Sequence, residues 1–163
     1  MSRIWAWILT LLISIFPSLN RYSPPLDVDK SVAAVISAFK TRDINAIEAF
    51  MCKNIKDNVL DLRGEIGKMI DAMQGEIISY SATSGGAGFN GSSGGRRIEQ
   101  TMAASNITTS AGNYKLSMLW ETYNNFSLAE RGVREISLYL MLGDGYEILA
   151  RFEATDGGFK MHD

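Results

Sequence analysis

The chain predicts an α+β domain, with helices first and a meander of strands afterwards. Two observations carry that reading. Between Ala34 and Tyr80, two short amphipathic helical patterns and a longer one run straight into a strand. Beyond Tyr80 the apolar residues recur in twos, as they do in half-buried strands. This order places the helices on one face of an antiparallel sheet. A length of 163 residues suits a single domain over residues 27–155, which would bury about two-thirds of its unfolded surface.

The helices follow from apolar spacing and caps. Asp27 or Asp29 can cap a first helix in which Val32, Val35, Ile36 and Phe39 form one stripe. Asp43 caps a second, short helix with Ile44, Ile47, Phe50 and Met51 on its apolar side. Ile55, Val59, Leu62, Ile66, Met69, Ile70 and Met73 continue the period as a third helix. Gly75 then stands where a left-handed cap belongs, and Gly64 is the expected point of kinking or splitting.

Strands are predicted over 76–83, 96–109, 114–123, 132–142 and 146–154. The Gly/Ser tract 84–95 reads as a loop with little to bury. Gly143-Asp144-Gly145 between two alternating runs is a hairpin signal. Alternation assigns the faces. Tyr114, Leu116, Met118, Trp120 and Thr122 share one side, as do Ile136, Leu138, Leu140 and Leu142. Tyr146, Ile148, Ala150 and Phe152 do the same in the last strand, and these sides should meet the helices. The carboxylates Glu121, Glu135 and Glu147 fall on the opposite, polar faces.

Residues 1–19 differ in kind from the rest. Ile4 to Phe16 is almost wholly apolar behind Arg3, and Pro17 ends the run. As a helix it would rise roughly 20 Å, short of the ~30 Å hydrocarbon core. That length suits a secretory signal peptide, with an uncleaved hydrophobic anchor carrying Trp5 and Trp7 as the alternative. A Pro-containing linker, residues 20–26, joins it to the domain, and residues 156–163 form a tail. The chain is therefore expected to be exported, either extracytoplasmic or membrane-associated.

A net charge of −2 argues against nucleic acid as a partner, and no basic stripe is present to hold nucleic acid or an anionic membrane. Cys52 is the only cysteine, so no internal disulfide can form, and it reads as a small apolar core residue.

Several segments resemble one known fold. Val35-Ile36-Ser37-Ala38-Phe39-Lys40, then Arg42-Asp43-Ile44-Asn45-Ala46-Ile47-Glu48-Ala49-Phe50, is similar to its opening pair of helices. Met73-Gln74-Gly75-Glu76-Ile77-Ile78-Ser79-Tyr80 resembles its helix-to-strand junction, and Gly132-Val133-Arg134-Glu135-Ile136-Ser137-Leu138-Tyr139 its strand start. The fold is the nuclear-transport-factor-2-like cone, also called SnoaL-like or cystatin-like. Within it, the chain resembles a bacterial family of exported, lipoprotein-like proteins of unknown function. The resemblance implies three N-terminal helices packed on a strongly curved antiparallel sheet. It carries no activity with it, because that fold hosts isomerases, cyclases, dehydratases, binding modules and toxin-neutralising proteins. One departure is plain: those relatives usually carry a lipid-modified cysteine directly after the signal, and 17–25 here has none.

The residues point to no catalytic set, no metal site and no cofactor. His162, the only histidine, lies in the tail, where termini are poorly ordered. Gly85 to Gly91 has the look of a nucleotide loop but precedes a strand, whereas phosphate binding needs a helix N-terminus there. The Asn90, Asn106 and Asn125 triplets match glycosylation acceptors, yet the bacterial resemblance gives them no use. Arg96-Arg97 and Arg131 with Arg134 read as solvated strand ends.

Tyr114, Met118 and Trp120 on one strand face, with Tyr80 and Asp71 near the mouth, form the candidate ligand pocket. Plain core packing is the competing reading for the aromatic and Met side chains. The function expected is a non-enzymatic, exported binding module. It would hold a small apolar ligand in the cone or dock a partner protein on the sheet, a second copy included. A small enzyme using Asp71 with Tyr80 or Tyr114 is the alternative, and a toxin-neutralising protein is a third reading.

Overall fold

Asp27, rather than Asp29, starts the first helix: its side chain accepts from the Lys30 amide at 3.1 Å. The structure, a computed structural model, describes residues 25–86, 90–93 and 95–154. The signal or anchor segment, most of the linker, the tail and His162 lie outside them.

Helix α1 (Val28–Thr41) buries Val32, Val35, Ile36, Ala38 and Phe39. Its end is a Schellman turn, in which the Asp43 amide reaches the Ala38 carbonyl at 2.9 Å. Asp43 then caps α2 (Ile44–Phe50) by accepting from the Ala46 amide at 3.0 Å. The predicted third helix is two. Helix α3 (Lys53–Asn58) stops at Val59, and α4 (Leu62–Ala72) begins after Asp61. The break lies before Gly64 rather than at it. Asp61 accepts from the Gly64 amide at 3.1 Å, and a Cβ on Gly64 would meet Asp61 Oδ2 at 2.2 Å. The glycine thus serves a new N-cap.

The sheet comprises β1 (Ile77–Gly86), β2 (Asn90–Ser93), β3 (Arg96–Thr109), β4 (Asn113–Asn124), β5 (Gly132–Leu142) and β6 (Gly145–Glu153). Strand order is β1-β3-β4-β5-β6, antiparallel throughout, with β2 pairing β3 off that path. A 3₁₀ turn, Leu128–Glu130, sits in the β4–β5 connection. The expected Gly/Ser loop is therefore corrected in part. Ser84 to Gly86 continue β1, and 90–93 add a short strand on β3, because main-chain pairing needs no side chain to bury.

One core joins the helices to one sheet face. Leu116, Met118, Trp120, Ile136, Leu138 and Phe152 are almost wholly buried against Ile36, Ile47, Ile55 and Ile66. The predicted faces hold for β4 from Tyr114 to Trp120, whose burial alternates. They fail where the ladder slips. Arg134 is skipped between the pairs Leu119↔Glu135 and Trp120↔Val133, and Leu149 between Leu138↔Ala150 and Tyr139↔Ile148. Such bulges turn every later side chain over. Hence Tyr146 and Ile148, expected inside, are exposed, as is Leu142 at the strand end. Leu26, placed in the linker, is already part of the body: its amide donates to the Thr122 carbonyl at 3.0 Å.

Candidate functional site

The described surface opens at the seam between α1 and β1. Two hollows of about 630 and 410 Å³ lie along it and share Lys40 and Ile77. Phe39, Ile70 and Met73 give the first an apolar floor, with Arg42 and Glu76 at its edge. Ile36, Ile78 and Tyr80 line the second. Sizes of this order match small-molecule seats.

Local folding explains the cations. Arg42 is the only non-glycine with positive φ (56°) among the described residues, a conformation that costs an L-residue about 1–2 kcal/mol. The Schellman turn requires it. Lys40, in the last turn of α1, faces the same hollow as Arg42. Asp71, at the end of α4, forms an ion pair with the Arg42 guanidinium, and both side chains are mostly exposed. The cleft thus pairs apolar walls with the cations Lys40 and Arg42 and the carboxylate Glu76, and Arg42 is already countered by Asp71.

The five residues expected to form one pocket divide into two groups. Asp71 and Tyr80 border the cleft, through Arg42 and directly. Trp120 and Met118 are 1% exposed and Tyr114 is 4% exposed, all inside the core. The Tyr114 hydroxyl accepts from the Gln74 amide at 3.1 Å, and the Trp120 ring meets Phe50 edge-on at 6.0 Å. These three serve as packing beneath the helices and line neither hollow of the seam. Asp71 has the Arg42 cation beside it, while the Tyr114 hydroxyl is engaged by the Gln74 amide in the core and Tyr80 lines the second hollow.

A second polar cluster lies at the far end of β4. Glu121, assigned by alternation to the solvated face, is fully buried, which corrects that expectation. Arg134, the extra residue of the β5 bulge, donates to Glu121 Oε2 at 2.7 Å, and Asn124 Nδ2 donates to Oε1 at 2.6 Å. Burial alone would lower the Arg134 pKa, but the Glu121 hydrogen bond and charge together raise it. Cys52 sits nearby, fully buried. Desolvation pushes its thiol above the usual range, outweighing the amides of Ile55 and Asn54 and the Arg134 charge. That holds the sulfur as an unreactive thiol.

Gly132 makes this corner close. Its φ is +133°, and a Cβ there would meet the Phe50 carbonyl oxygen at 2.4 Å. Beside it Cys52 donates its amide to the Val133 carbonyl at 3.0 Å.

Sequence reasoning missed Lys40, Arg42 and the Glu121–Arg134 pair. A signal for the bulge was present: apolar positions change parity from Val133 to Ile136. Arg42 had a fainter one, standing between a helix end and the Asp43 cap. Among the described residues, no group of three or more His, Cys, Asp or Glu is placed to hold a metal ion. No helix of those residues is long and apolar enough to cross a membrane.

Helices on one face of an antiparallel sheet, with a cleft at the α1–β1 seam, define a mixed α+β protein. The chain belongs to the family of a domain of unknown function, DUF5104, whose model matches residues 34–141. The match runs from the middle of α1 to the end of β5 and includes both the cleft and the buried pair. No curated protein matches the chain.

Proposed function

We propose that the chain is an exported, non-enzymatic binding module whose ligand seat is the α1–β1 cleft. The ligand is a small amphipathic molecule with an apolar body and an anionic head. The observation that supports this is an apolar floor (Phe39, Ile70, Met73) lined also by the cations Lys40 and Arg42, with Glu76 the one carboxylate among its lining residues. The interior, where a cone-bound ligand was expected, is occupied by Trp120, Met118 and Leu116, so the seat moves to the seam. Bulges in β1, β4, β5 and β6 support reading the sheet as the curved wall of a nuclear-transport-factor-2-like cone. The apolar N-terminal run supports export.

A second reading has its own observation. Among the described residues no helix covers the outer sheet face, and Tyr146, Ile148 and Met102 are exposed there, as suits docking of a partner protein.

Calorimetric titration of the full chain with dodecanoate and with dodecanol tests the cleft. Dodecanoate should bind, dodecanol more weakly, and Lys40→Glu should weaken dodecanoate at least tenfold. Mass spectrometry of co-purified molecules should return anionic amphiphiles. Equal binding of acid and alcohol, or binding untouched by Lys40→Glu, overturns the reading.

A further inference from the structure

The two ends of the long strands both expose apolar side chains, Phe126 and Leu128 at one and Leu142 and Tyr146 at the other, but they differ in where the chain enters. At the β4–β5 end, Phe126 is 62% and Leu128 52% exposed. Their loop is held in place. Asn124, itself buried, accepts from the amides of Phe126 at 2.9 Å and Ser127 at 2.8 Å. Next to it the Tyr123 ring meets two guanidinium groups, Arg97 at 5.5 Å and Arg131 at 5.0 Å from its centre, and the Arg97 guanidinium also pairs with Glu99. Arg97 is tied to the same loop, since its amide donates to Asn125 Oδ1 at 2.8 Å.

The chain enters here too. The Leu26 amide donates to the Thr122 carbonyl at 3.0 Å, four positions before Phe126. Upstream, residues 4–16 are almost all apolar and include Trp5 and Trp7. The connecting residues 17–25 reach at most roughly 30 Å when extended. A membrane-inserted upstream segment would therefore hold this end of the body within roughly 30 Å of the bilayer, nearer on average than the other end.

We propose that this end is a membrane-contacting surface. Phe126 and Leu128 sit in the interfacial layer of a phospholipid bilayer, with Arg97 and Arg131 at the headgroup phosphates. Apolar tips beside an aromatic ring and guanidinium groups are the chemistry of that layer. The apolar run alone is short of a full span, and stable anchoring takes two signals. The held loop supplies the second.

The β5–β6 turn offers an internal control. Leu142 is also 52% exposed, but it closes the far end of β5, a strand of 11 residues. That places it roughly 35 Å from the entry point at about 3.3 Å per residue.

The test is a nitroxide label on the full chain, Cys52→Ala, carrying Phe126→Cys, Leu128→Cys or Leu142→Cys in turn. Vesicles of phosphatidylcholine with one-third phosphatidylglycerol are added. Labels at 126 and 128 should gain accessibility to dissolved oxygen and lose it to an aqueous nickel complex, while the label at 142 stays as in solution. With Cys52 retained, Phe126→Glu with Leu128→Glu should cut the vesicle-bound fraction at limiting lipid about tenfold or more, since each buries one large apolar side chain. Vesicles of phosphatidylcholine alone should bind less. Three results overturn the proposal: labels 126 and 128 unchanged by lipid, label 142 shielded instead, or spin–spin broadening at 126 without lipid, which assigns the end to a second copy.

Discussion

Glu121 and Asp71 each meet one arginine, and the two pairs stand at opposite extremes of exposure. The Glu121 and Arg134 side chains are 0% and 21% exposed, and those of Asp71 and Arg42 are 71% and 59%. Contact is therefore not what separates them; solvent is. In water an ion pair gains little and costs side-chain freedom, so exposed pairs contribute about 0–1 kcal/mol. Inside, each charge has lost its hydration and depends on its partner for compensation. The buried pair is an element of architecture that fixes the β5 bulge beside α3. The exposed pair is free to exchange its anion, which suits the rim of a binding cleft.

Breaking the buried pair has the largest expected effect. Glu121→Ala leaves Arg134 and Asn124 without their shared acceptor and should cost about 3–5 kcal/mol in urea unfolding. Replacing both charges, Glu121→Leu with Arg134→Met, should recover most of that loss, because two apolar groups need no compensation. If Glu121→Ala costs under about 1 kcal/mol, the carboxylate is solvated and the contrast between the two pairs disappears.

The thiol beside that corner sharpens the same comparison through pH. Burial raises the folded Cys52 pKa above its ordinary 9.0. A group raised on folding contributes stability below its unfolded pKa and loses it as pH climbs toward the folded value. The urea midpoint should therefore fall as pH rises above about 9, and Cys52→Ala should flatten that decline. In the native state a disulfide reagent such as DTNB should react with Cys52 only as fast as the chain opens. Rapid labelling at neutral pH would mean the corner around Gly132 is open.

Why the sequence singled out Asp71 but misjudged Glu121, and missed the arginine partner of each, follows from periodicity. Helices, caps and most strands are local, and Asp27, Asp43 and the run from Tyr114 to Trp120 could be read from spacing alone. A bulge is a property of two strands at once. The slip opposite Leu119 and Trp120 lies in β5, where the parity change between Val133 and Ile136 is its only trace. Alternation along β4 assigned Glu121 to water, but the bulge residue Arg134 lies against it and buries it, and past the Leu149 slip alternation assigned Tyr146 and Ile148 to the core. The division of α3 from α4 was hidden in a similar way, since Asp61 declares itself as a cap only beside a glycine that admits it. The candidate pocket mixed the two kinds of inference. Trp120, Met118 and Tyr114 share a strand face, which spacing can show. Whether helices fill the space above that face depends on tertiary packing, and here they do.

The smallest effect on stability belongs to Asp71. Asp71→Asn removes a charge from an exposed pair and should change unfolding by under about 0.5 kcal/mol, with melting shifted by no more than ~2 °C. Its consequence for the cleft has the opposite rank. With its counter-ion neutralised, Arg42 presents a full positive charge toward the apolar floor. An anionic amphiphile should then bind several-fold more tightly, with the gain shrinking as salt rises. The complementary change, Arg42→Gly, relieves the left-handed backbone at φ 56° and should hold or slightly raise stability while weakening dodecanoate. A variant pair that moves ligand affinity in opposite directions at nearly constant melting temperature would make this rim a binding feature. If Asp71→Asn instead destabilised the fold as Glu121→Ala should, both carboxylates would be structural and the cleft would lose its cationic head site.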